Sequence, residues 1–204
     1  MMARRRNRPR KKIWFILGLS GAGKTHFSNF LAAQHDFLHL NIDENGIDSY
    51  GLEQAWALFE QKGSIEPLIS AITARYRSAK KAGAVLSFTS VHFIPIDKIR
   101  ALKKVAIVAY LFGGRQKCRD SFLRREETEQ RLPPEINKAK NWNIANRELL
   151  GRLAQPIYRR YMAGVFRANG DRKTPEALYN EINGRGLVTL GRITALFKKL
   201  LRSV

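Results

Sequence analysis

The chain has 204 residues, 44% of them hydrophobic, which allows one substantial core and excludes two ordinary enzyme domains. Its 37 Lys and Arg against 17 Asp and Glu give a formal charge of +20, which predicts anionic partners such as nucleic acid, acidic lipid or phosphorylated substrates. No window is apolar for the roughly 18 residues needed to cross a bilayer, and the basic start does not lead into a secretory signal, so we expect no transmembrane segment. The single cysteine, Cys118, excludes an internal disulfide and fits a cytoplasmic location.

Short apolar runs alternate with helical patterns along the chain. Residues 13–17 are typical of a strand buried on both faces of a parallel sheet. We predict further strands at residues 37–42, 84–89, 105–111 and 163–168. Helices are predicted after residue 25, at 52–59 and 65–76, after Pro95, at 145–161 with a kink at Pro156, and from Thr174 onward. This alternation predicts an α/β fold with a doubly wound, five-stranded parallel sheet.

A phosphate-binding pattern follows the first strand. Gly18, Gly23, Lys24 and Thr25 match G-x-x-x-x-G-K-[ST] between a buried strand and a helix start. Glycines let several amide groups point at phosphate oxygens, and the helix N-terminus adds partial positive charge. Lys24 is expected to neutralise charge on the β and γ phosphates, and the Thr25 hydroxyl to bind Mg²⁺. We call residues 18–25 the phosphate loop.

Acidic residues are scarce at the predicted strand ends. The third strand runs into Thr89 and the fourth into Gly113, so neither ends in the aspartate that holds Mg²⁺ in helicases, transporter ATPases and GTPases. Asp43 is the acidic residue at the carboxyl end of a core strand beside the loop, and this edge is where doubly wound sheets bind ligands. We therefore predict Asp43 as a catalytic residue and a metal ligand. No guanine-reading Asn-Lys-x-Asp segment is present, which favours ATP over GTP.

Arginines accumulate between residues 116 and 136 while apolar content falls. They are Arg119, Arg124, Arg125 and Arg131. This composition is typical of a helix that leads into a mobile lid, and we place the lid at about residues 116–140.

With these features, the chain resembles the P-loop kinases of the shikimate, gluconate and adenylate kinase type, and is similar to the kinase domains of polynucleotide 5′-hydroxyl kinases. The resemblance covers about residues 13–182 and rests on the phosphate loop, Asp43, the arginine-bearing segment, and the late strand followed by Thr174-Pro175-Glu176. It implies a strand order of 2-3-1-4-5. It also implies that Asp43 activates or orients the attacking hydroxyl. Shikimate-type kinases carry two aspartates one residue apart here, whereas this chain has Asn41 and Asn45 at those spacings.

The resemblance also implies roles for the remaining site residues. Lys24 and the lid arginines stabilise the phosphates during transfer, and an arginine at the start of the lid stacks on the nucleotide base. The implied catalytic residues are Lys24, Asp43, Arg124, Arg125 and Arg131; the implied nucleotide-binding residues are Gly18, Ser20, Gly21, Ala22, Gly23, Lys24, Thr25 and Arg119.

The two ends of the chain are basic. Residues 1–12 are predicted to be a disordered tail, residues 13–184 a kinase domain, and residues 185–204 a basic amphipathic helix. Such ends would bind a nucleic acid backbone in a salt-dependent way. Trp142, near the lid, is the aromatic candidate for stacking on a base.

Three functions stay open at this point. The first is an ATP- and Mg²⁺-dependent kinase that phosphorylates a hydroxyl of a small metabolite or nucleoside-like acceptor. The second is the same chemistry on the 5′-hydroxyl of DNA or RNA. The third is a non-catalytic, ATP-gated protein that binds nucleic acid or membrane through its basic ends.

Overall fold

The computed structural model describes residues 11–89, 94–130 and 132–184. Within these ranges the strands are β1 (Ile13–Gly18), β2 (Phe37–Asn41), β3 (Gly83–Phe88), β4 (Ile107–Phe112) and β5 (Met162–Gly164). The helices are α1 (Lys24–His35), α2 (Ile42–Asn45), α3 (Glu53–Lys62), α4 (Ile65–Ser78), α5 (Ile96–Val105), α6 (Arg115–Glu129), α7 (Lys138–Leu153) and α8 (Pro175–Gly184). Short 3₁₀ helices lie at Asp48–Tyr50 and Pro156–Tyr161.

All five strands are parallel and lie in the order β2-β3-β1-β4-β5, with helices on both faces. The predicted fold class and strand order are therefore confirmed. Every residue of β1 and of β3 is buried, as expected for strands covered by helices on both sides. Phe15 is aligned with Leu86 on one side and Val108 on the other, so the centre of the core lies on β1.

The fold brings the carboxyl ends of β1, β2 and β3 to one edge of the sheet. Gly18 ends β1, Asn41 ends β2 and Phe88 ends β3, and these three strands are neighbours. The connections that leave this edge are the phosphate loop, α2, and the segment after Phe88. Since strand order reverses around β1, a crevice for a ligand is expected at this edge.

Two elements in the carboxyl-terminal half were predicted with the wrong boundaries. The strand predicted at residues 163–168 is Met162–Gly164, because the chain turns back after Val165 and Phe166 pairs with Arg172 in an isolated antiparallel bridge. The kinked helix predicted at residues 145–161 is instead α7, which begins at Lys138 and ends at Leu153. Pro156 starts a 3₁₀ helix that buries Tyr158 and Tyr161, three residues apart.

Smaller differences affect the other strands. β1 ends at Gly18 rather than residue 17, and β3 is Gly83–Phe88 rather than residues 84–89. β2 ends at Asn41 rather than residue 42, and Asp43 lies in the short helix α2. β4 begins at Ile107 rather than residue 105, because Val105 completes α5. The segment predicted as a lid comprises most of α6, a loop and the first residues of α7, and its movement stays a prediction. Most of the basic tail and the whole predicted C-terminal helix lie outside the described residues.

The core position of β1 gives a direct stability test. Ile16 is fully buried, whereas Ile144 on α7 is 56% exposed. We expect Ile16→Ala to lower the free energy of unfolding by about 2–5 kcal/mol, because it removes buried methyl groups and leaves a cavity. The matched variant Ile144→Ala should change it by less than about 0.5 kcal/mol. Urea unfolding of both variants measures this, and equal losses would contradict the assigned core.

Candidate functional site

The phosphate loop is folded tightly between β1 and α1. Gly21 and Gly23 have φ angles of 86° and 87°, in the left-handed region that favours glycine. A Cβ on Gly21 would overlap the backbone carbonyl of Cys118 on α6, so only glycine fits there. Burial raises the pKa of Cys118 to about 11, so this thiol stays protonated at neutral pH. The first amide groups of α1, which begins at Lys24, have no acceptor within the helix and form a site suited to anions.

Lys24 places a positive charge beside the loop. Its side chain is almost fully buried, and its Nζ lies 3.3 Å from the Leu19 carbonyl oxygen and 3.5 Å from Asp43 Oδ2. Burial lowers the pKa of Lys24, the Asp43 carboxylate opposes this shift, and the charge of Arg125 lowers the pKa further. The ammonium group is thus held in a poorly solvated position with one carboxylate close by.

Asp43 joins the ends of β2 and β3. Its Oδ1 accepts a hydrogen bond of 2.6 Å from the Thr89 amide, just beyond β3, while Oδ2 faces Lys24. The side chain is 28% exposed, so the carboxylate reaches both the cation and solvent. Sequence reasoning paired Asp43 with the loop but missed Thr89, because a backbone donor leaves no sequence signal.

The two asparagines around Asp43 have other partners. Asn41 Nδ2 donates to Glu44 Oε2 at 2.7 Å, and the Asn41 amide donates to the Tyr50 hydroxyl at 3.0 Å. Asn45 Nδ2 also donates to the Tyr50 hydroxyl, at 2.7 Å. These bonds fix the turn that carries Asp43, so the asparagines support the carboxylate.

The predicted arginines do not all approach the loop. Arg125 on α6 acts electrostatically on Lys24, and its Nη2 pairs at 3.2 Å with the buried carboxylate of Glu126. Arg124 is exposed, and no contact between its guanidinium and the loop is found within the described ranges. Arg119 is partly buried on α6, and its Nε has no hydrogen-bond partner among the described residues, so its stacking role stays a prediction. Arg131 lies outside the described residues.

Trp142 does not stack on a base, and that prediction was wrong. The ring is fully buried on α7, and its Nε1 donates to the Ser20 carbonyl oxygen at 2.9 Å. Asn146 lies one turn further along α7 and is also fully buried. Its Oδ1 accepts a hydrogen bond of 2.9 Å from the Ser20 amide. The sequence-based prediction missed Asn146. Its side chain lies on the same buried face of α7 as Leu149 and Leu153, and a polar side chain on an apolar face indicates a buried hydrogen bond.

Arg172 supports the loop from another side. It lies after β5, and its guanidinium donates at 3.3 Å to both the Ala22 and Gly21 carbonyl oxygens. Its Cζ also lies 5.1 Å from the centre of the Phe166 ring, within cation–π range. This residue was missed, because its partners are about 150 positions earlier in the chain.

The donor set fits a nucleotide with Mg²⁺. The glycine cradle, the start of α1 and buried Lys24 suit a polyphosphate. Within residues 11–89, 94–130 and 132–184, no cluster of three or more His, Cys, Asp or Glu is placed to hold a metal. Mg²⁺ commonly takes only one or two carboxylates together with phosphates and water, which Asp43 and the Thr25 hydroxyl match in kind. Across the same residues, no helix has the length and hydrophobicity to span a membrane.

The chain is similar to solved structures of kinases. A shikimate kinase from Acinetobacter baumannii, in complex with shikimate, has 20% identity and a TM-score of 0.47, with 87% of this chain and 96% of that chain covered. A gluconokinase from Sinorhizobium meliloti 1021 has 13% identity and a TM-score of 0.45, with 96% and 99% covered. A deoxyadenosine kinase from M. mycoides, with bound dATP, has 17% identity and a TM-score of 0.43, with 84% and 99% covered.

These three solved structures are P-loop kinases of the type that the sequence resembles. No protein-family model matches the chain, and no curated protein matches it in sequence. The similarity to polynucleotide 5′-hydroxyl kinases stays a prediction.

The lowered pKa of Lys24 predicts a pH-dependent affinity for ATP. The charged ammonium attracts phosphate, so affinity should be full below the pKa of Lys24 in the free protein and fall as pH rises through it. Because that pKa lies below 10.5, the fall should begin at lower pH than for an exposed lysine. Calorimetric titration between about pH 7 and pH 10 measures it.

The control for this titration is Lys24→Met, which keeps the side-chain length and removes the charge. It should bind ATP more weakly, with a flatter pH profile. A wild-type profile parallel to that of Lys24→Met would contradict a role for this ammonium group.

Proposed function

We propose that this chain is an ATP-dependent kinase that transfers the γ-phosphoryl group to a hydroxyl of a small metabolite or nucleoside-like acceptor. The observation that carries the proposal is the 3.5 Å separation of Lys24 Nζ and Asp43 Oδ2 at the start of α1. A phosphate-binding cation and a carboxylate suited to an incoming hydroxyl thus lie side by side. The single cysteine and the use of ATP favour a cytoplasmic location.

The chemistry assigned to the residues is an in-line displacement. The acceptor oxygen forms a bond to the γ-phosphorus while the bond to the bridging oxygen of ADP breaks. Asp43 accepts the hydrogen bond of the acceptor hydroxyl and takes its proton, and the Thr89 amide keeps its carboxylate oriented. Lys24 and Arg125 stabilise the negative charge on the transferred group.

Other residues hold the substrates in place. The amides of the phosphate loop bind the phosphates, and Thr25 and Asp43 would hold Mg²⁺, which neutralises phosphate charge when bound. Arg124, Arg131 and Arg119 complete the proposed set as lid and base-contacting arginines. Positioning contributes together with electrostatics in such reactions, because the reacting atoms must lie in line.

A turnover screen tests the proposal. Conversion of ATP to ADP is measured with Mg²⁺ at low and moderate salt against sugars, sugar acids, nucleosides and 5′-hydroxyl oligonucleotides, with Lys24→Ala as control. Stimulation by a small acceptor that is lost in Lys24→Ala supports the kinase. Stimulation by oligonucleotides alone, weakened by salt, would replace it with the polynucleotide kinase interpretation. ATP binding without stimulation by any acceptor would favour the non-catalytic binding protein.

Asp43→Asn separates catalysis from binding. We expect kcat to fall by about 10²–10⁴-fold, because the amide cannot take the acceptor proton, while the Kd for ATP changes by less than about tenfold. Asp48→Asn is the matched control, since Asp48 is an exposed carboxylate in the following 3₁₀ helix. Equal activity in the two variants would show that Asp43 is not the base.

The adjacent arginines of α6 form a second matched pair. Arg125→Gln should lower kcat by about 10²–10³-fold, because a positive charge close to Lys24 is lost. Arg124→Gln removes a proposed lid charge from the exposed face of α6 and should lower kcat less than Arg125→Gln does. Steady-state kinetics of the two variants measure which substitution lowers kcat more. A larger loss in Arg124→Gln would mean that α6 presents its other face to the phosphates during turnover.

A further inference from the structure

Ser20, the third residue of the phosphate loop, has both of its backbone groups bound by one helix. Its amide donates to Asn146 Oδ1 and its carbonyl oxygen accepts from Trp142 Nε1, each at 2.9 Å. Both side chains come from α7, at positions 122 and 126 residues later in the chain. These bonds therefore connect two distant segments of sequence at the centre of the site.

The two α7 residues also bind each other. Asn146 Nδ2 donates to the Trp142 backbone carbonyl at 2.8 Å, which fixes the orientation of the amide so that Oδ1 faces Ser20. Both side chains are fully buried. This arrangement of the buried pair is favoured, because rotation of either side chain would break one of these hydrogen bonds and leave a buried polar group unsatisfied. We call Trp142 and Asn146 the Ser20-binding pair.

The position of Ser20 sets the direction of the amides that follow it. The Ala22 amide turns back to the Leu19 carbonyl oxygen at 3.0 Å, so the chain curls immediately after Ser20. α1 begins only at Lys24. A rotation of the Ser20 peptide groups would move this whole turn, and with it the cradle for the phosphates.

We propose that Trp142 and Asn146 are positioning residues for the nucleotide, which act by holding Ser20 so that the amides after it face the phosphates. The inference rests on the proposed function, because it assigns the loop to nucleotide binding. Neither residue touches the phosphates. Through α7, the pair connects the loop to α6, because Lys138 Nζ at the start of α7 donates to the Glu126 carbonyl oxygen of α6 at 3.0 Å. Nucleotide affinity and the position of α7 are therefore linked, and the linkage is reciprocal.

Conservative variants test the pair in the full chain. Trp142→Phe keeps a buried aromatic ring and removes the Nε1 donor together with part of the indole. Asn146→Leu keeps the number and branching of the side-chain heavy atoms and removes the amide oxygen and nitrogen. Trp14→Phe is the control for the first, since Trp14 is a buried residue of β1 that packs on Phe27 and Tyr179. Asn143→Leu is the control for the second, since Asn143 on α7 accepts from Arg115 at the surface.

The readouts are amide hydrogen exchange of residues 18–25 without nucleotide, the Kd for ATP, and the KM values for ATP and acceptor. We expect Trp142→Phe to weaken ATP binding by about three- to tenfold, and Asn146→Leu by about ten- to hundredfold, because the latter leaves the Ser20 amide unpaired. In both variants, amide hydrogen exchange of residues 18–25 should become faster, and exchange in the rest of the chain should change less. The KM for ATP should rise while the KM for the acceptor stays unchanged. The double variant should lose less than the sum of the single effects.

Two results would overturn the proposal, and two further results decide which readout is used. Exchange and ATP affinity equal to those of the control variants would overturn the proposal. Faster exchange over the whole chain, with both KM values changed together, would assign the pair a purely structural role and overturn it as well. If the wild type does not bind ATP, the proposed function is wrong, and exchange of residues 18–25 in the free protein alone decides whether the pair holds the loop. If Asn146→Leu does not fold, Trp142→Phe decides.

Discussion

The buried charge of Lys24 is the constraint on which the rest of the site depends. Placing an ammonium group in a position that is 6% exposed costs free energy, and only nearby acceptors reduce that cost. The Leu19 carbonyl oxygen and the Asp43 carboxylate supply them. An incoming phosphate would add a stronger counter-charge, so binding of an anion would offset the free-energy cost of burying the Lys24 ammonium group.

The parallel sheet makes this arrangement possible. Because β1, β2 and β3 are neighbours and all run in the same direction, the loop after β1, the helix after β2 and the residue after β3 meet at one edge. Lys24, Asp43 and Thr89 each come from one of these connections. β1 and β3 are buried along their whole length, so the packed core holds the connections that follow them without a bound ligand.

The phosphate loop is also supported from outside by three elements. Gly21 packs against the backbone of α6, Ser20 is bound by α7, and Arg172 from the segment after β5 donates to two loop carbonyls. The hydrogen bonds among these supports use the Ser20 amide and the carbonyl oxygens of Ser20, Gly21 and Ala22. Such contacts account for the tight curl of a loop that consists largely of small residues, and they tie its geometry to the segments that carry the arginines.

Local patterns made the sheet and the loop predictable. The β1 strand, the glycine pattern and the start of α1 are consecutive, so sequence spacing alone predicts them, and Asp43 follows from its place after β2. The outer supports were not predictable as loop contacts, because Asn146 and Arg172 meet the loop across more than 120 residues. The apolar helix face around Asn146 indicates that its amide is buried, but it does not indicate which group the amide binds. Trp142 was misjudged for the same reason, since nearness to the lid in sequence does not reveal which way an indole faces. β5 is only three residues long, too short for an alternating pattern to place it.

The most direct test of the proposed phosphoryl-transfer site is a crystal structure of the full chain with Mg²⁺ and a non-hydrolysable ATP analogue. We expect the β and γ phosphates within hydrogen-bonding distance of Lys24 Nζ and of the amides that follow Ser20, with Asp43 facing the γ-phosphate on the acceptor side. A nucleotide bound elsewhere, or phosphates in the loop with Asp43 turned away from them, would contradict the proposed phosphoryl-transfer site.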